Sequence, residues 1–342
     1  MLKNIFKKYT RVNLQRPCLC KRTVLRLICF IFILQPYVLC VYILSFKLQN
    51  EVYSSTKRNT YNYDFDQIKN SLVEFMNSTP EQNLIDPNVL IQTMKFMIKD
   101  VRYDDQELVD FVKSLIKPPS KGRLNLSNTL IKDYSQMKQS IKVDNLLDNL
   151  TNGFFIEAGA FDGEALSNTL FFETQRNWTG LLIEPIPSIY KDLIAKNRNA
   201  FSINACIGDN KPSIQAFNVL HVLSVRSDIM SIDHRKRLLK EGLVNGKRMD
   251  SIALIPCFPL STILRALNQT KIDYFSLDVE GSELSIIKSI NFTETDITVF
   301  TIECSENQFD VEEITKHLIK NSLEFMKNDY NELYFSKIKK VL

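Results

Sequence analysis

Apolar positions change their rhythm twice along this chain. From Leu27 to Phe46 they run for 20 residues without a charge, and only Gln35 and Ser45 are distinctly polar. At ~1.5 Å rise per residue such a run spans a bilayer core of roughly 30 Å, and Pro36 is tolerated in a spanning helix. Between 63 and 116 apolar residues recur at i, i+3 and i+4. One set is Phe65, Ile68, Leu72 and Phe75; a second is Leu90, Ile91, Met94 and Met97; a third is Leu108, Phe111, Val112, Leu115 and Ile116. The spacing predicts three amphipathic helices, the last stopped by Pro118-Pro119. Residues 48–62 read as a polar stem and 117–145 as irregular chain.

From 153 onward short apolar runs alternate with helical patterns. GFFIEAGAFDG, GLLIEP, AFSINACIGD, IDYFSLDVEG and DITVFTIECSE predict strands, and LSNTLFFETQ, SIYKDLIAKN, ELSIIKSI and VEEITKHLIKN predict helices. LEFMKNDYNELYFSK reads as two strands around an Asn/Asp turn. Strands alternating with helices predict a parallel sheet with crossovers, closed here by an antiparallel hairpin. The expected fold class is α/β, a Rossmann-like sheet of seven mostly parallel strands preceded by one transmembrane helix and a small helical region.

Charge sharpens the picture only once it is mapped. The net charge is +4, but Lys3, Lys7, Lys8, Arg11, Arg16, Lys21, Arg22 and Arg26 supply eight of the 43 basic residues, with no acid among them. The remainder carries 35 basic against 39 acidic residues, so the globular part is not a nucleic-acid binder on charge grounds. A basic head before an apolar span places the N-terminus in the cytosol and the C-terminal domain in the lumen. A cleaved signal peptide is the competing reading; the apolar run is too long and no small-residue cleavage site follows. The expected organisation is a cytoplasmic tail over 1–26, a signal anchor over 27–46, a lumenal stem and helical region over 47–150, and an α/β domain over 151–342.

Cys18 and Cys20 flank the span and are open to palmitoylation or remain plain thiols. Cys206, Cys257 and Cys304 are expected to be lumenal, which allows one internal bridge; Cys206 and Cys257, at the ends of two apolar stretches, are the proposed pair. No cysteine pair has metal-ligand spacing, and no metal is expected. Asn-x-Ser/Thr triplets occur at Asn77, Asn125, Asn149, Asn177, Asn268 and Asn291. Asn149, Asn177, Asn268 and Asn291 precede predicted strands and so fall on the amino edge of the sheet. Asn204 falls on the opposite edge. The stretch from about 209 to 256 crowds Arg226, Arg235, Lys236, Arg237, Lys240, Lys247 and Arg248; it reads as a lid over a substrate or as a solvated loop.

Open parallel sheets bind ligands at the carboxyl ends of their strands. There this sequence places Glu157, Gly159, Asp162 and Gly163; then Glu184; then Asp209 after Cys206; then Asp278, Glu280 and Gly281; and finally Glu303. Glu184 follows Gly159 by 25 residues, where dinucleotide sites carry the acid that holds a ribose diol. One such acid is an ordinary cap. Acids at four strand ends predict a nucleoside-type cleft. No Gly-rich loop is followed by Lys-Ser/Thr, and the acids disfavour pyrophosphate; a ligand carrying a sulfonium and an amino group suits them better.

FFIEAGAFDGEALSNTLFFE, WTGLLIEP and DYFSLDVEGSE followed by FTIE resemble the FkbM-type methyltransferase family. More narrowly they resemble its animal membrane-anchored, Star-like branch, which IKPPS at 116–120 also fits. The resemblance covers roughly 105–337. It implies a seven-strand fold and S-adenosylmethionine (SAM) as cofactor, with Glu157, Gly159, Asp162, Gly163, Glu184 and Asp278 at the SAM site. Asp278, Glu280 and Glu303 become the candidate acid/base or substrate contacts, because no histidine lies near a strand end: His221 and His234 are in the insert and His317 is on a helix.

Two readings follow. One is an O-methyltransferase acting on a lumenal glycan or other hydroxyl in the endoplasmic reticulum, Golgi or endosome. The other is a Star-like trafficking factor that binds a client membrane protein, such as a growth-factor precursor, without turnover. A glycosyltransferase would share the membrane plan but expects a D-x-D metal motif, and residues 151–342 contain none.

Overall fold

The computed structural model describes residues 85–219, 224–226, 252–304, 308–329 and 332–338. The apolar run 27–46, the stem, the first of the three N-terminal helical patterns and Asn77 lie outside them. Among the described residues no helix is long and apolar enough to cross a membrane.

Two helices open the described chain. α1 (Pro87–Lys99) starts on Asp86, whose carboxylate accepts from Asn88 N at 2.9 Å, with Pro87 in its first turn. α2 (Gln106–Leu115) starts on Asp105, which accepts from Leu108 N at 3.1 Å. A third helix, α3 (Gln139–Leu146), follows within a stretch whose polarity suggested irregular chain.

β1 (Phe154–Ala158) is buried at every position, as a strand covered on both faces must be. α4 (Leu170–Arg176), β2 (Thr179–Ile183), α5 (Pro187–Ala195) and β3 (Phe201–Ile203) come next. β4 (Cys206–Gly208), β5 (Ser213–Asn218), β6 (Val225–Arg226) and β7 (Ile252–Pro259) lead to α6 (Leu260–Leu267). β8 (Lys271–Leu277), α7 (Glu283–Ser289), β9 (Asp296–Glu303), α8 (Gln308–Lys320), β10 (Glu324–Asp329) and β11 (Glu332–Ser336) complete the chain.

The main sheet has seven strands in the order β10-β11-β9-β8-β1-β2-β3. Its pairs are parallel except those made by β11, which is antiparallel to both neighbours. Period-two alternation divides its residues between two apolar layers. Phe154, Ile156, Ile183, Phe275, Phe300 and Phe335 share a core with Phe96 of α1, Leu108 and Val112 of α2, and residues of α6, α7 and α8. Phe155, Leu182, Tyr274, Val299 and Tyr334 face Val143 and Leu146 of α3, Phe171 and Phe172 of α4, and Tyr190 and Leu193 of α5. The described helices of the 47–150 region are thus part of the sheet's own packing.

AFSINACIGD does not form one strand. Asn204 Nδ2 donates to the carbonyls of Glu184 and Pro185 at 2.8 and 2.9 Å, and the chain leaves the main sheet there. Its second half becomes β4, in a four-stranded sheet of order β4-β7-β5-β6. Part of the stretch read as a lid or solvated loop is therefore sheet. Of its clustered basic residues only Arg226 is described. Cys206 and Cys257 are direct Cα partners on β4 and β7 and are joined by a disulfide, with Cα atoms 4.4 Å apart. Cys304 is a free, buried thiol, pushed up to about 12 by burial and by nearby acids, Glu283 foremost.

Segment 117–135 runs along the β3 edge and onto the loop after β1. Lys117 and Ser202 exchange backbone hydrogen bonds, Ser120 N donates to Arg198 O at 3.0 Å, and Asn125 N donates to Lys196 O at 2.9 Å. Ser135 bridges Leu166 beyond that.

Candidate active site at the carboxyl ends of the strands

The central strand ends are stitched together by backbone. Gly159 N and Ala160 N both donate to Ile183 O, at 3.0 and 3.1 Å, and Asp278 N donates to Ala158 O at 3.1 Å. Gly159 has φ +82°, and a Cβ there would lie 1.8 Å from Asp278 O. No other residue fits, on conformation or on space. The loop then turns through Phe161 (φ +48°) and Gly163 (φ +77°). Asp162 is half-buried and fixes the turn by accepting from Glu164 N and Ala165 N at 2.9 and 2.8 Å.

Glu164 ties that loop to the strap. Its carboxylate accepts from Ser127 N at 2.7 and 2.9 Å, from Asn128 N at 3.2 Å and from Lys196 Nζ at 2.6 Å. Burial alone would raise its pKa, but these donors outweigh burial and hold it at about 2.

Glu184 follows β2 and is buried. One carboxylate oxygen accepts from Phe161 N at 3.0 Å and the other from Ile186 N at 2.8 Å. Burial pushes its carboxyl up to about 8 despite those two amides. Glu184 therefore lies directly against the glycine turn, as its spacing from Gly159 suggested.

Glu157 sits one residue inside the end of β1, beneath the loop. Its carboxylate accepts from Ser167 Oγ at 2.9 Å, Asn168 N at 2.6 Å and Thr169 Oγ1 at 2.6 Å. Arg198 reaches the same cluster through Ser167 Oγ and Thr169 Oγ1 and pairs with Glu173 at 2.7 Å. Burial raises the Glu157 pKa and Arg198 opposes that rise. With three donors on one carboxylate, Glu157 organises the loop from below.

The sharpest concentration of charge is just after β8 and at the end of β9. Asp278, Glu280 and Glu303 are half-buried, and one carboxylate oxygen from each lies within 4.8 Å of the others. Asp278 is held well above the usual carboxylate range by burial, then by the charge of Glu303, a hydrogen bond to it, and the charges of Glu280 and Glu283. Glu280 has φ +55°. Behind the triad Glu283 accepts from Val279 N and Gly281 N, both at 3.1 Å, and burial lifts it to about 7. Glu332 is the Cα partner of Glu303 and is buried; burial lifts it to about 7 as well. The triad spacing is one that oxygen-seeking cations accept, and acidic groups so placed are common without an ion. The described histidine, His317, lies on α8 against Phe292.

The sequence reading missed Glu164, Asn168, Ser276, Glu283 and Glu332. The only local signal was the polar run Ser167-Asn168-Thr169 ahead of an apolar helix.

A turn that only glycine can make, an acid beside it after β2, and acids after β8 and at the end of β9 all lie within one matched span. The sequence matches the methyltransferase FkbM domain over residues 157–330. The chain belongs to the FkbM methyltransferase family. No curated protein matches it. Among solved structures it is similar to an FkbM methyltransferase from Methylobacillus flagellatus KT, at 14% identity and a TM-score of 0.34, over 79% of this chain and 58% of that one. It is also similar to precorrin-6y C5,15-methyltransferase from Geobacter metallireducens GS-15, at 11% identity and 0.32, over 62% and 91%. A third is Aeropyrum pernix fibrillarin, solved with natively bound S-adenosyl-L-methionine, at 11% and 0.31, over 59% and 74%. The chain thus spans 58% of the length of the Methylobacillus flagellatus KT protein that it resembles.

Proposed function

We propose that this FkbM domain binds SAM over the ends of β1, β2 and β8 and transfers its methyl group to a hydroxyl, on a lumenal glycan or a similar acceptor. The observation that carries the reading is the Gly159 turn. Backbone comes so close to Asp278 that a side chain is excluded, with Glu184 held beside it. A buried carbonyl oxygen without a partner among the described residues, Asn168 Oδ1, marks a place for a ligand donor, so the residues fit the cofactor.

Bound SAM supplies an electrophilic methyl group. Gly159, Asp162 and Gly163 shape the loop that would cradle it, and Glu184 would hold its ribose hydroxyls. Asp278, Glu280 and Glu303 orient the acceptor and receive its proton. Because burial, and then the charge of Glu303, holds the Asp278 pKa above the usual carboxylate range, proton acceptance there strengthens as pH rises.

The apolar run 27–46 and the basic tail support a single-pass type II membrane protein of the endoplasmic reticulum, Golgi or endosome, with this domain lumenal. The Cys206–Cys257 disulfide suits such an oxidising compartment. A second reading keeps the fold and site but not turnover: a Star-like trafficking factor that holds a client. The hydrogen bond between Asp278 and Glu303, which engages that candidate base with another carboxyl, favours it.

Calorimetry of the full chain in detergent tests both. The proposal expects SAM to bind, Glu184→Ala to weaken binding about tenfold or more, and methyl transfer to lumenal glycans. Binding without transfer to any hydroxyl acceptor supports the trafficking reading. No binding removes the cofactor reading.

A further inference from the structure

Asn168 is the clearest buried polar group that the fold leaves incomplete. It is 8% exposed. Its backbone N–H donates to Glu157 Oε1 at 2.6 Å, its side-chain Nδ2 donates to Ser276 Oγ at 2.9 Å, and its backbone carbonyl accepts from Ser140 Oγ at 3.0 Å. Its side-chain Oδ1 has no partner among the described residues. Buried acceptors in native proteins are nearly always satisfied, by protein, ordered water or ligand, and leaving one bare costs about 1–3 kcal/mol.

The position is specific. Ser276 on β8 is the direct Cα partner of Glu157 on β1. Asn168 bonds to both, so it sits at the β1–β8 junction, two rows inside the stitched ends at Gly159 and Asp278. Ser276 also bonds the Tyr274 side chain. Its oxygen receives the Asn168 Nδ2 donor, which ties the amide to β8.

SAM offers an orphan acceptor three kinds of donor: the adenine amine, the ribose hydroxyls and the ammonium. Glu184 follows β2, on one side of β1; Ser276 and Asn168 mark the β8 side. A ligand whose ribose is held by Glu184 and whose adenine extends toward β3 turns its amino-acid end toward β8. We propose that Asn168 Oδ1 receives the ammonium group of the bound cofactor, and that Ser276 positions the amide for it. This rests on the cofactor reading above.

Two probes isolate the contact in the full chain. Decarboxylated S-adenosylhomocysteine keeps the amine, and methylthioadenosine lacks it. Calorimetry should show the unaltered protein preferring the amine-bearing probe. Asn168→Ala should cut that preference about tenfold, the worth of a hydrogen bond to a charged donor, with methylthioadenosine affinity unchanged. Asn168→Asp retains an oxygen there and should keep the preference. Ser276→Ala leaves Asn168 in place but frees its amide, and should reduce the preference; it carries the test if Asn168→Ala does not fold. A preference untouched by Asn168→Ala or Ser276→Ala, or equal weakening of both probes, overturns the assignment while the cofactor reading stands. An unaltered protein that binds neither probe overturns both.

Discussion

At the scale of single residues, the acids divide by what surrounds them. Glu164 and Glu184 stand on either side of the same glycine loop, yet one is held at about 2 and the other at about 8. Burial raises both, but at Glu164 it is outweighed by the Lys196 ammonium and two backbone amides, whereas at Glu184 two amides oppose it with no cation beside them among the described residues. A carboxyl depressed in the fold stabilises it above the unfolded pKa, here 4.5, and loses that contribution as pH falls toward 2. Glu164→Gln should cost about 2 kcal/mol at pH 7, with the gap to the unaltered protein closing as pH drops below about 4.5. Thermal unfolding across pH 7 to 3 checks this, and a gap independent of pH would refute it. Gly159, Glu184 and Asp278 were legible because apolar runs announce where strands stop. Glu157 was legible as an acid but not in its aim. It lies within β1, on the face that carries Phe155, so period-two alternation turns it under the loop. Asn168 and Ser276 acquire their meaning from each other, 108 positions apart, and no local pattern encodes that.

At the scale of elements, the main sheet was readable and the second sheet was not. Strands such as FFIEA and SIQAFN differ in the property that makes one visible: the first is buried throughout, the second is half-buried at five of six positions. β4 and β6 have three and two residues, below the length at which periodicity registers. Within this small sheet β4 is tied to β7 by the Cys206–Cys257 bond, which closes a separation of 51 residues. A cross-link over that length is worth about 4 kcal/mol in the chain-entropy estimate and roughly 2–4 kcal/mol in practice. Cys257→Ser should lower unfolding stability by that amount, read by urea denaturation. Recovery of both cysteines as free thiols by non-reducing peptide mapping of the unaltered protein would refute the pairing.

At the scale of the whole molecule, the chemistry sits on one edge of the sheet and four of the six glycosylation triplets on the other. Asn149, Asn177 and Asn268 are exposed and precede β1, β2 and β8. Asn291 lies at the same edge but is half-buried, with Nδ2 donating to Tyr103 Oη at 3.4 Å. Asn204 spends its Nδ2 on two carbonyls. On the proposed lumenal placement, glycopeptide mapping should find sugar on Asn149, Asn177 and Asn268 and none on Asn204; sugar on Asn204 would contradict this orientation. The strap of residues 117–135 carries a practical consequence. A chain trimmed to the matched span 157–330 would begin inside its own central strand, discard the amides that hold Glu164, and lack β11, through which β10 reaches the rest of the sheet. Such a fragment would retain most of the family's signature yet could not close the sheet or brace the turn that the signature describes.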